Sequence, residues 1–154
     1  MPTVRATAEL PRSVHEAETC WYDTGRWPIW VDQLARVISV EGQWPSLGST
    51  VVWESGPAGR GRVTERVSAY EPLGGQTVEV EDDSIIGSQS VTFTPLSDDG
   101  VTVALSLDYR IKRRNPLTPL IDLLFIRRLM AGSLRSTLGR FGTELETSRG
   151  FGVG

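Results

Sequence analysis

A chain of 154 residues, 39% hydrophobic and 23% charged, is long enough to bury one core and is composed unlike a disordered or fibrous protein. Its net charge of −3 gives no overall pull toward nucleic acid or an anionic membrane, and its one cysteine, Cys20, excludes an internal disulfide or a cysteine-based metal cluster. The opening MPTVRATAELPRS lacks the basic and apolar regions of a signal peptide, and the apolar stretch Leu117 to Met130 is interrupted by Thr118, Pro119, Asp122, Arg127 and Arg128, so a soluble cytoplasmic protein without a cofactor is expected.

In chain order, Thr3 to Leu10 is β-compatible and stops at Pro11. Ser13 followed by Glu16 is a capping-box pattern, and Val14, Ala17 and Trp21 recur at helical spacing, which predicts a short amphipathic helix over Ser13–Tyr22. A second helical turn is expected over Pro28–Leu34, with Pro at its first position. Six strand-like runs follow: Ala35–Glu41, Ser49–Ser55, Gly61–Tyr70, Gln76–Glu81, Ser88–Thr94 and Val101–Lys112. Short polar connections separate them, which implies antiparallel hairpins, because parallel pairs need a long crossover. The last run alternates most plainly, with Val101, Val103, Leu105, Leu107, Tyr109 and Ile111 on one face.

After Asn115-Pro116 the period changes to that of a helix, predicted over Leu117–Thr147. Leu120, Leu124, Ala131, Leu134, Leu138, Phe141 and Leu145 fall on one broad side of it. Residues 148–154 read as a flexible, Gly-rich tail behind a single domain over 1–147. The fold class expected is α+β: a seven-stranded curved antiparallel sheet wrapped around a long C-terminal helix, with two short helices between the first two strands. A bent sheet that grips a helix leaves a gap wherever small residues such as Ala131, Gly132 and Ser133 face it, and that gap is the candidate site.

This order of elements resembles the START-like, or SRPBCC helix-grip, superfamily, and in particular its polyketide cyclase/dehydrase and lipid transport branch. Local features carry the resemblance across nearly the whole chain: the turn Leu10-Pro11-Arg12-Ser13-Val14, the tryptophan-containing Trp27-Pro28-Ile29-Trp30, the strand Gly61-Arg62-Val63-Thr64-Glu65-Arg66-Val67 before Glu71-Pro72, and the final helix with Leu138, Glu144 and Glu146. The resemblance implies a pocket for a hydrophobic or partly aromatic small molecule and leaves the reaction open, because one fold hosts many functions.

Candidate pocket walls are Trp53, Phe93, Leu105, Leu107, Tyr109, Leu124, Ala131 and Leu134, each of which serves equally as core filling. Alternation places Glu65 between Val63 and Val67, and helical phase places Arg127 beside Leu124, Ala131 and Leu134, facing the sheet. Either the two charges reach solvent at an edge, or they form with Tyr109 a polar end to an apolar cavity. His15, the only histidine, sits beside the first helix cap, where a solvent-facing role is the simpler reading. Phe125, Ile126 and Leu129 form a second apolar side near Arg113, Arg114, Arg127 and Arg128, which suits a peripheral membrane contact, a homodimer contact or a lid. Three functions follow: a carrier of a hydrophobic small molecule, placed first because it needs only a pocket; an aromatase/cyclase-type enzyme, for which Glu65, Arg127 and Tyr109 are the nominees; and an interaction protein that uses the exposed helix.

Overall fold

A computed structural model describes residues 2–57, 59–112 and 120–151, the final helix with its side chains over 123–147. The expected break at Asn115-Pro116, the helix start at Leu117, the side chain of Leu120, Arg113, Arg114 and Gly152–Gly154 lie outside the described residues.

The elements run β1 (Thr3–Leu10), α1 (Val14–Tyr22), a 3-10 turn (Thr24–Arg26), α2 (Trp27–Trp30), β2 (Leu34–Glu41), β3 (Thr50–Ser55), β4 (Arg62–Glu71), β5 (Gly75–Glu81), β6 (Ile85–Pro95), β7 (Val101–Ile111) and α3 (Leu120–Phe151). The strands form one antiparallel sheet in the order β1-β7-β6-β5-β4-β3-β2. Every neighbouring pair from β2 to β7 is a hairpin, while β1 pairs with β7 in the register Val4↔Leu107 and Ala6↔Leu105. The connection from β1 to β2 therefore crosses the full width of the sheet, and α1 and α2 are what cross it. Register shifts between Leu34 and Arg36, between Val37 and Ser39, and between Val67 and Ala69 mark bulges, which bend strands and increase twist.

Local chemistry sets most boundaries. Ser13 Oγ accepts the Glu16 backbone N–H at 3.1 Å and so starts α1. The helical turn expected over Pro28–Leu34 ends at Trp30, because Val31 turns extended and Gln33 adopts a left-handed φ of 65°. β6 begins at Ile85, earlier than the expected Ser88, because Asp82 Oδ1 accepts the N–H groups of Ser84 and Ile85 and fixes the turn that aligns Ile85 with Ile111. The helical backbone of α3 continues to Phe151, past the Thr147 boundary expected from sequence.

The alternating face of β7 is buried throughout, from Val101 to Tyr109, and it meets Val51, Val63 and Val80 of β3, β4 and β5 in one core. Above it lies an aromatic layer. Phe141 of α3 meets Trp21 and Trp30 edge to face, both with ring centres 5.0 Å away, and Trp21 also meets Phe93. Such pairs favour tilted and edge-on geometry because the ring faces and edges carry opposite partial charge. The C-terminal half of α3 is thus anchored by Leu134, Leu138, Phe141 and Leu145, packed on β1, α1 and α2. Its first half is not: Leu124, Phe125 and Leu129 are 53%, 61% and 50% exposed, and Leu123, Ile126, Met130 and Ala131 are partly covered.

Candidate functional site

Where the first half of α3 stands over the sheet, two spaces adjoin. The inner one, about 60 Å³, is walled by Trp21, Trp30, Trp53, Leu105, Leu107 and Leu134, with Glu65 and Gln89 reaching in from the strands. The outer one, about 250 Å³, lies between the β5–β6 turn and α3, lined by Ile85, Ile111, Ile126 and Leu129. Arg60, Met130 and Ser133 border both, so these three side chains form the constriction between the two spaces. The inner part alone has room for about two waters, at roughly 30 Å³ each. Together they approach the lower end of the roughly 300–1,000 Å³ usual for small-molecule sites.

The constriction is built by charge. Arg60 sits between Gly59 and Gly61, and Gly61 takes φ +77°, which lets the loop fold back over β3. The Arg60 guanidinium lies 5.6 Å from the centre of the Trp53 ring, and its Nε donates to Asp82 Oδ2 at 2.6 Å. Asp82 is almost fully enclosed, at 2% side-chain exposure. Trp53 Nε1 in turn donates to Glu65 Oε2 at 2.6 Å. Two further donors border the cleft without a hydrogen-bond partner among the described residues: Arg60 Nη2 and Trp30 Nε1, both buried. A buried unpaired donor is expensive, so both favour an acceptor atom placed in the cleft. The far wall is held by Asp32, whose carboxylate accepts from Ser133 Oγ at 2.8 Å and whose N–H donates to Thr137 Oγ1 at 3.0 Å, tying the α2–β2 loop to α3.

Of the residues nominated from sequence, Trp53, Glu65, Leu105, Leu107 and Leu134 line the cleft together. Phe93 is spent in the aromatic layer against Trp21 and Tyr22, and Tyr109 is buried in the core of the sheet. Ala131 is half-buried beside the cleft without lining it. Leu124 and Arg127, expected to face the sheet, are exposed. Their helical phase matches that of the buried Leu134, but the first half of α3 stands off the strands and leaves that phase uncovered. The charge of Arg127 still acts on Tyr109, where it opposes the larger effect of burial, which raises the hydroxyl's pKa. The cation at the inner cavity is Arg60, which sequence reasoning passed over. Its only sequence signal is an arginine flanked by glycines in a hairpin loop.

Burial pushes the Glu65 carboxyl above its ordinary pKa of 4.5, against the opposing hydrogen bond from Trp53 and the charge of Arg60. At pH values below 4.5 the carboxyl is protonated in both folded and unfolded chains and carries no penalty. As pH rises past 4.5 the unfolded chain loses its proton while the folded chain retains it, so stability falls until the folded pKa is passed. Glu65→Gln, which keeps an acceptor for Trp53, should therefore gain stability relative to the parent as pH rises from 4 to 8. Urea unfolding at several pH values checks this; a difference between the two proteins that does not change with pH would show that Glu65 is ordinarily solvated.

The profile of the family described as polyketide cyclase / dehydrase and lipid transport matches residues 1–146. No curated protein matches the sequence. Among solved structures, a START superfamily protein from Mycobacterium smegmatis is similar at 14% identity with a TM-score of 0.77, over 94% of this chain and 97% of that one. The Zhui aromatase/cyclase from Streptomyces sp. R1128 is similar at 14% identity and TM-score 0.77, over 94% and 93%. Norcoclaurine synthase from Thalictrum flavum, solved with dopamine and hydroxybenzaldehyde, is similar at 12% identity and TM-score 0.69, over 95% and 87%. At these identities the likeness establishes the helix-grip fold.

Proposed function

Because the chain belongs to the polyketide cyclase / dehydrase and lipid transport family, we propose that it binds a hydrophobic small molecule in the cleft under α3, with a ligand oxygen held at the inner end. One observation carries this reading: the apolar cleft ends in two buried donors that lack a partner among the described residues, Arg60 Nη2 and Trp30 Nε1, beside the Glu65 carboxyl. The apolar body of the guest lies against Leu105, Leu107, Leu134 and Met130, and its aromatic or unsaturated part against Trp53. A carboxylate, phenolate or carbonyl oxygen satisfies Arg60, and the low polarity of the walls strengthens that bond. Entry runs past Ile126 and Leu129, and the guest extends into the outer space because the inner one is too small for it.

Titration with 2-naphthoic acid, followed by tryptophan fluorescence, tests the reading. Saturable binding is expected, weakened about tenfold or more in the double variant Arg60→Leu/Asp82→Asn, which removes the donor without leaving a buried carboxylate alone. No saturable binding of 2-naphthoic acid or of myristic acid would overturn it, as would equal affinity in the variant.

A second reading, catalysis of the aromatase/cyclase type, is favoured by the same Glu65. A carboxyl whose pKa is raised by burial in an apolar cleft holds its proton to higher pH than an ordinary glutamate, which suits it to donate and retrieve a proton. Under this reading a bound poly-oxo chain cyclises at a rate that Glu65→Gln lowers, while its affinity stays close to that of the parent.

A further inference from the structure

We propose that the first half of α3 docks the protein on an anionic lipid surface, with the cleft mouth against the bilayer. The outward side of this half-helix is apolar where a solvent-facing helix is normally polar: Leu124, Phe125 and Leu129 are the exposed large side chains there, each half or more open to solvent. They do not serve the grip, because Ile126 and Met130 occupy the inward positions of the same turns. Residues 123–143 carry four arginines, Arg127, Arg128, Arg135 and Arg140, and not one Asp or Glu, in a chain whose net charge is −3. Among the described residues no ion pair engages Arg127, Arg128 or Arg135, and all three are exposed.

Aliphatic and aromatic tips interleaved with unpaired guanidinium groups match the boundary between acyl chains and phosphates, where an interfacial helix buries its apolar residues and its cations meet phosphate oxygens. The same charges argue against a second copy of this chain as the occupant, since pairing two such ridges brings Arg127 and Arg128 of each toward their counterparts. No helix among the described residues is long and apolar enough to cross a membrane, so the contact lies in the surface plane. Leu129 belongs both to the ridge and to the lining of the outer space, and Ile126 beside it lines that space too, so docking sets the mouth of the cleft at the lipid. The docking stands on the ridge itself; only the passage of a guest between bilayer and cleft rests on the proposed function.

Sedimentation with vesicles tests it, using the full chain without added ligand. Binding is expected to vesicles of phosphatidylcholine mixed with phosphatidylglycerol, and to be much weaker with phosphatidylcholine alone. Arg127→Gln/Arg128→Gln should lower the affinity roughly thirtyfold, at about one phosphate-facing cation each. Leu124→Ser/Phe125→Ser should abolish binding while thermal unfolding stays near that of the parent, because both side chains are exposed. Vesicle binding is measured without any guest, so a failed cleft titration beside intact vesicle binding counts against the cleft alone. Binding indifferent to lipid charge and to both ridge variants overturns the proposal. So does a concentration-dependent dimer that Phe125→Ser dissolves while vesicles are ignored.

Discussion

Replacing Phe141 with alanine should destabilise the protein by about 4 kcal/mol, within the roughly 3–5 kcal/mol typical of deleting a buried phenylalanine. Phe141 has 0% exposure and closes the aromatic layer from above, edge-on to both Trp21 and Trp30. Its loss removes the transfer free energy of the ring, opens a cavity among indoles too stiff to collapse into it, and forfeits two aromatic pairs. For a domain whose total stability is of the order of 5–15 kcal/mol, that is a large share. The control is on the same helix. Phe125→Ala should change stability by less than about 0.5 kcal/mol, since Phe125 is 61% exposed and outside the core cluster. Urea midpoints of the two variants check the pair. Equal losses would mean that α3 is gripped along its whole length, contrary to the half-anchored helix described above.

Replacing Asp82 with alanine should destabilise the protein by about 3 kcal/mol. The carboxylate has two duties: Oδ2 holds Arg60 Nε, and Oδ1 accepts two backbone N–H groups that form the turn into β6. Removing it strands a largely enclosed guanidinium and uncaps the turn, and breaking one half of an enclosed pair is far worse than removing both halves. Asp82→Asn combined with Arg60→Leu keeps the turn acceptor and deletes both charges, so it should recover most of the loss. A double-mutant cycle of Asp82→Asn, Arg60→Leu and the two combined reads the coupling of the two charges. If the two substitutions simply add, Arg60 has another partner and the constriction is not set by this pair.

The strands were legible because the sheet imposes a strict period of two and one face is covered. Val101 through Tyr109 alternate without a break, and every inward member is buried. Glu65 was legible for the same reason, as a charge on the inward face between Val63 and Val67. The long helix was legible by its period, but period gives phase and not contact. Arg127 and Leu124 share the phase of Leu134 and still reach solvent, because nothing in a helical repeat says where the helix parts from the sheet. Arg60 was illegible for a different reason: a loop has no period, and the fold-back that places its guanidinium on Trp53 depends on a left-handed Gly61 and on Asp82 of another hairpin. Phe93 is the opposite lesson. It was nominated as a pocket wall, and its neighbours are the aromatic side chains of α1, which no local pattern pairs with it.

The five tryptophans offer the most direct check on the claim that the cleft admits a guest. Each indole N–H gives its own resonance, and their surroundings differ: Trp53 Nε1 is bonded to Glu65, Trp30 Nε1 has no partner among the described residues and borders the cleft, and Trp44 Nε1 is bonded to the Tyr22 carbonyl away from it. In a titration of the parent protein with 2-naphthoic acid, followed by proton–nitrogen correlation spectra, the Trp30 and Trp53 signals should move to saturation while the Trp44 signal stays in place. Five indole signals that hold still, or drift together without saturating, would contradict a guest in the cleft.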